Sequence, residues 1–271
     1  MSKHKGFTFV EISLFLVVTA LIFIGIAGAM QNTIFQQKYN DSVQNFLEFL
    51  RDIYSEVSNP QSTGFGNSNQ AIYGKLVVFG ESMDLLGGKI DADEHPVFVY
   101  DVVGRDDTSV SSRSALDLLK SLDADVIIYK DNEPMLASPE RYSPRWGAVI
   151  EDINKSPMEK SILIVRHPDS GTLNTFVYDK AIQVNEIFGK RKDACSSVSL
   201  SEQTKCKSKI LFSDDSGIEF GMDEVNFCIN SEELSRSLFS SPQNIRIIKN
   251  ARNASGVLKI EIDSDKNECK M

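Results

Sequence analysis

Few residues in this chain of 271 have the types and spacing that do chemistry. The first is Glu11, a carboxylate at the head of ISLFLVVTALIFIGIAGAM (12–30), which holds no charge and only Ser13 and Thr19 as polar interruptions. An ionised side chain in hydrocarbon costs about 2.5–3.5 kcal/mol, so its chemistry is charge pairing and it demands a cationic partner. Next come Cys195, Cys206, Cys228 and Cys269, whose chemistry is oxidation to disulfides. Four cysteines allow three pairings. The expected one joins Cys195 to Cys206 across a short Ser/Lys-rich loop and Cys228 to Cys269, pinning the C-terminal tail to a strand. Zinc is not expected: there is no C-x-x-C, and none of His4, His95 and His167 is spaced with a cysteine as a ligand pair. Asp263 and Asp265, in DSDKNE, resemble the opening of a calcium loop with oxygen donors at alternate positions, but the glycine of such a loop is missing and a solvated tail is the preferred reading.

Catalytic patterns are lacking. There is no G-x-S-x-G, no P-loop and no convincing Ser/His/Asp set, so no enzymatic activity and no cofactor are expected. Net charge is −9, and the part beyond Lys5 carries 27 basic against 38 acidic residues. Nucleic acid is not indicated as a partner, because phosphate neutralisation needs clustered Lys and Arg.

These residues must be positioned by a membrane segment and a folded head. The leader MSKHKG is short and basic, which keeps the N-terminus cytoplasmic and places the chain beyond the apolar run outside the cytoplasm. Disulfides fit that compartment. Beyond Met30, Phe35, Tyr39, Val43, Phe46, Leu50, Ile53 and Val57 recur at steps of three or four, one face of a helix that ends near Asn59-Pro60. The spacing predicts one helix over 7–58, about 78 Å long if straight. Its first half, 7–30, is apolar all round; its second, 31–59, is amphipathic and suited to packing one stripe on a head formed by 60–271. Residues 76–79, 97–103, 126–129 and 162–165 read as strands, and 112–122 as a short helix. Turn signals predict hairpins at 166–174, at 213–217, and between 244–248 and 257–262. The expected fold class is α+β: a long N-terminal helix on a mainly antiparallel sheet, with 80–161 elaborating a smaller head.

Lys5-Gly6 followed by Phe-Thr-Phe-Val-Glu and a long apolar helix resembles the processing site of type IV pilins and type II secretion pseudopilins. The resemblance covers residues 1 to about 35. It implies cleavage after Gly6 by a prepilin peptidase, N-methylation of Phe7, and assembly into a filament in which Glu11 pairs with the N-terminal amine of a neighbouring subunit. The partners it implies are the peptidase, other pilin subunits, an inner-membrane assembly platform and, before assembly, membrane lipid. The run GMDEVNFCINSEE (221–233) and the hairpin after it are similar to the ends of some minor pseudopilin heads. Major pilins usually carry a proline inside the apolar stretch; here Gly25 and Gly28 stand instead, which favours a minor pilin or pseudopilin. Two alternatives keep the chain out of any filament: a secreted binding protein cut after Ala29 in Ala27-Gly28-Ala29, or an uncleaved membrane-anchored one.

Overall fold

The computed structural model describes residues 8–59, 70–80, 96–105, 114–122, 124–126, 129–130, 133–134, 140–154, 156–167, 170–184, 211, 217–221, 225–231, 243–247, 250–251, 258–261 and 269. The predicted helix forms as α1, Phe9–Ser58. No proline or charge cluster interrupts its 50 residues, which span about 75 Å. It stops where Pro60 disfavours helix in the residue before it, and the Asn59 N–H closes the last turn on Ser55 O at 3.0 Å. A second helix, α2, covers Ala115–Ser121.

The strands are β1 Gln70–Phe79, β2 Val97–Arg105, β3 Asp125–Val126, β4 Tyr129–Lys130, β5 Glu133–Pro134, β6 Glu140–Tyr142, β7 Ala148–Glu151, β8 Ser161–Arg166, β9 Leu173–Tyr178, β10 Val225–Ser231, β11 Gln243–Ile247, β12 Asn250–Ala251 and β13 Leu258–Glu261. Among the described residues every pairing is antiparallel. A seven-stranded sheet runs β12-β9-β8-β1-β2-β3, with β6 also on β2; a four-stranded sheet runs β13-β11-β10-β7; β4 and β5 pair separately. The architecture is α+β, as expected. Within 80–161, β2 and β6 belong to the first sheet and β7 to the second.

The central strands are buried on both faces, and their alternation sorts two cores. Val77, Phe79, Val97, Val99, Ile162 and Ile164 face α1, together with Ile150, Val225, Phe227, Ile229, Ile245 and Ile247 of the second sheet. Leu76, Val78, Phe98, Tyr100, Leu163 and Val165 face the opposite way, under Ala115 and Leu119 of α2 and under Ile182, Val184 and Leu211. Because side chains alternate with period two, one strand serves both layers. A bulge at Tyr73 shifts the β1–β2 register, and Gly74 follows it. A Cβ on Gly74 would stand 2.1 Å from Ile164 O, so only glycine lets β1 and β8 approach this closely.

Six of the seven stripe residues predicted for α1 are buried and Phe35 is half-buried. The buried stripe is wider than predicted, adding Leu47, Phe49 and Tyr54: the Phe49 ring stacks on Tyr142 of β6 with centroids 4.3 Å apart, and Tyr54 reaches Thr175 of β9, both in the first sheet. Phe46 is its hub, with ring centroids 5.5 Å from Phe227, 5.7 Å from Tyr142 and 6.4 Å from Phe79. Polar side chains tie the helix down: Tyr39 Oη donates to Ile229 O at 2.8 Å, Ser42 Oγ to Arg145 O at 2.7 Å, and Tyr54 Oη shares a 2.9 Å bond with Thr175 Oγ1. Lys75 on β1 pairs with Glu56 of α1 and with Asp101 of β2.

Two expectations about the strands need correction. Of the hairpin expected at 213–217, residues 213–216 lie outside the described residues, and its second arm is not a strand: 217–220 carry none, Gly221 makes an isolated bridge with Val177, and Ile218 and Phe220 pack against the second core. The pattern misled because a short apolar run also fits a segment laid across a sheet face. The last hairpin does form between β11 and β13, but its connection crosses to the other sheet, where β12 pairs with β9.

Candidate functional site

At the start of α1, Thr8 and Glu11 bond each other. Thr8 N–H and Thr8 Oγ1 both donate to Glu11 Oε2, at 2.8 and 2.9 Å, while Glu11 N–H donates to Thr8 Oγ1 at 3.3 Å. The pair is a capping box: each side chain satisfies a backbone donor that the first helical turn leaves without a partner. The T-x-x-E spacing that carries it is legible in the sequence, and it gives Glu11 a partner within its own chain beside the intermolecular one expected for it. The carboxylate is therefore already engaged within its own chain and stays solvent-accessible. Gly6 and Phe7, the two residues of the expected cleavage site, lie outside the described residues.

From Phe9 to Met30 large apolar side chains stand exposed all round the helix, Phe9 at 85%, Phe23 at 68% and Met30 at 61%. Such a surface marks contact with lipid or with another protein. This half of the helix is long and apolar enough to cross a membrane. Its polar side chains do not oppose that: Ser13 Oγ donates to Val10 O at 3.0 Å, Thr19 Oγ1 to Phe15 O at 2.7 Å and Thr33 Oγ1 to Ala29 O at 3.1 Å. Each hydroxyl is satisfied by its own helix, which is what a segment in hydrocarbon requires. Gly25 and Gly28 have open space around them, so a second helix meets no side chain there.

The cysteines are placed in part. Cys228 on β10 is joined to Cys269, with Cα atoms 5.6 Å apart, and both are buried. The disulfide ties the C-terminal end of the chain to the centre of the second sheet, as expected. Cys195 and Cys206 lie outside the described residues, as do Asp263 and Asp265. Among the described residues no group of three or more His, Cys, Asp or Glu is arranged to hold a metal ion.

The chain matches no family model, and no curated protein and no solved structure matches it.

Proposed function

We propose that this protein is a structural subunit, a minor pilin or pseudopilin, of a type IV pilus or type II secretion-like filament. One observation carries the reading: a single continuous helix whose C-terminal half is buried in its own head while its N-terminal half exposes apolar side chains on every side. Lipid covers the exposed half before assembly, and the same half of neighbouring subunits covers it afterwards. The head's own core is complete without it.

In this reading a prepilin peptidase cleaves after Gly6, and the new amine of Phe7, N-methylated, starts one residue before Thr8. Glu11 then has two states. In the lone subunit its carboxylate is held by Thr8; in the filament it meets the N-terminal amine of a neighbour. Two charges costly alone in an apolar bundle become tolerable as a pair, and the pairing fixes axial register between subunits. The work is mechanical, and energy for extraction from the membrane comes from the assembly platform. The open faces at Gly25 and Gly28 allow close helix approach within such a bundle.

The test is substitution at the start of the helix. Glu11→Val leaves membrane insertion intact and abolishes recovery of the subunit in sheared surface filaments; normal incorporation would refute the role given to Glu11. Gly6→Leu blocks maturation, seen as retention of the full-length precursor, and unchanged processing would refute the cleavage site.

A further inference from the structure

Where α1 enters the head, a turn on the head's underside carries the chain's only tryptophan. Among the described residues, Trp146 is the one exposed Phe or Trp outside the apolar half of α1, at 52%. It is also the one non-glycine residue among them with a positive φ, +60°, and Gly147 follows at +65°. L side chains rarely adopt that conformation, and a bulky one costs more to hold there. The turn is fixed rather than loose: Arg145 O accepts from Ser42 Oγ at 2.7 Å and from Ala148 N–H at 3.2 Å. The indole is thus held outward on a rigid support, against a local conformational cost, without adding to either core.

Its surroundings are cationic in an acidic protein. Lys38 Nζ sits 5.0 Å from the Trp146 ring centroid and 5.9 Å from that of Phe35, and exposed Arg145 is the preceding residue. Asp41 is the nearest acid on the helix; three residues beyond Lys38, it stands about 60° round the axis from it and about 4.5 Å farther from the hydrocarbon. The level along the helix is decisive. With Glu11 at one edge of the hydrocarbon, about 20 residues at 1.5 Å each bring the other edge to Gln31. Lys38 follows about 10 Å later, and because Cβ bonds tilt toward the helix N-terminus and lysine stems snorkel, its ammonium falls back toward the membrane. The headgroup layer extends about 5–8 Å beyond the hydrocarbon. An amphipathic indole flanked by Lys and Arg at that depth has the composition of a membrane-interface anchor.

We propose that Lys38, Arg145 and Trp146 form a docking surface for anionic phospholipid headgroups of the leaflet that α1 leaves, seating the head on the membrane before assembly. This rests on α1 spanning the bilayer. Docking at this point fixes the head's orientation as well as its height, since the turn lies to one side of the helix.

The single tryptophan is the probe. The full chain is reconstituted into phosphatidylcholine bilayers with and without phosphatidylglycerol, and Trp146 fluorescence is read with acrylamide and with phospholipids brominated near the glycerol end of the acyl chains. With phosphatidylglycerol present, emission shifts to the blue, brominated lipid quenches it and acrylamide access falls. Lys38→Glu and Arg145→Glu each lower the ratio of docked to free heads at least about fivefold, the weight of losing one basic residue at an anionic surface. Trp146 equally open to acrylamide in both bilayers, in protein that resists extraction by alkaline carbonate, overturns the docking surface while leaving the spanning helix intact. Release of the protein by carbonate overturns both. Quenching that ignores phosphatidylglycerol and both reversals, or protection that grows with protein density without quenching by lipid, also overturns it, the latter assigning the surface to another copy of the chain.

Discussion

The two halves of α1 share one backbone and differ in where their apolar surface goes. Tyr39, Val43, Phe46, Leu50, Ile53, Tyr54 and Val57 are buried between two sheets, whereas Phe9, Phe15, Leu21, Phe23 and Ile26 remain half or more exposed. The lesson is that burial, not helix propensity, assigns function along this helix. The C-terminal half is solved within the chain and serves stability; the apolar surface of the N-terminal half can be covered only by another molecule, lipid or protein.

Cutting into each half tests that division. Phe46→Ala removes the ring that joins α1 to β1, β6 and β10, and should lower head stability by about 3–5 kcal/mol, measured by urea unfolding in mild detergent. Phe23→Ala should leave the same midpoint unchanged and reduce recovery in filaments instead. Equal effects of the two on the midpoint would break the comparison.

Next in size is the tail. Replacing Cys228 and Cys269 together by serine opens a loop of 41 residues and should cost about 2–4 kcal/mol. Membrane insertion through the first half should be unaffected, as flotation with vesicles would report.

Smaller effects sharpen the account of how the buried half is held. Tyr54→Phe strands Thr175 Oγ1 without its partner and should cost about 1–2 kcal/mol. It should also change the alkaline limb of the stability curve. Burial pushes the Tyr54 hydroxyl above its ordinary value, only partly offset by the bond to Thr175, and burial pushes Tyr142 up to about 12. Lys75 is also raised: its burial works the other way, but Glu56 and Asp101 outweigh it. A group with a raised folded pKa contributes fully below its unfolded value and loses that contribution as pH rises through the folded one. Stability from these groups therefore holds through neutral pH and falls from about pH 10 upward, and Tyr54→Phe should make the fall shallower. The smallest expected change is Lys75→Met, about 1 kcal/mol or less because Glu56 is exposed and relaxes into water. Its signature is faster hydrogen exchange in the last turns of α1.

Much of this division was legible in the residues themselves. The three-four stripe from Tyr39 to Val57 and the uncharged run before it rest on local periodicity, and the hairpin between β8 and β9 is announced by Pro168, Asp169, Ser170 and Gly171 between two β-branched runs. What escaped depends on contacts distant in sequence. Phe49 and Tyr54 are buried because Tyr142 of β6 and Thr175 of β9 are brought against α1 from far along the chain, which no local pattern encodes. Ser42 reads as a polar helix residue until Arg145 is brought against it, and Trp146 carries no sign of its left-handed backbone except the glycine that follows. At the candidate site, Glu11 was legible from its conflict with hydrocarbon. Its bond to Thr8 was equally legible from spacing alone, and it shows that an unusual charge can have a local partner as well as a distant one.

The most direct measurement is mass spectrometry of the mature N-terminus on protein isolated from the native cell envelope. The account predicts a terminal peptide that begins with N-methylated Phe7. A mature protein beginning at Met30, or still bearing its leader, would contradict it, because the apolar half would then be absent or left unprocessed for assembly.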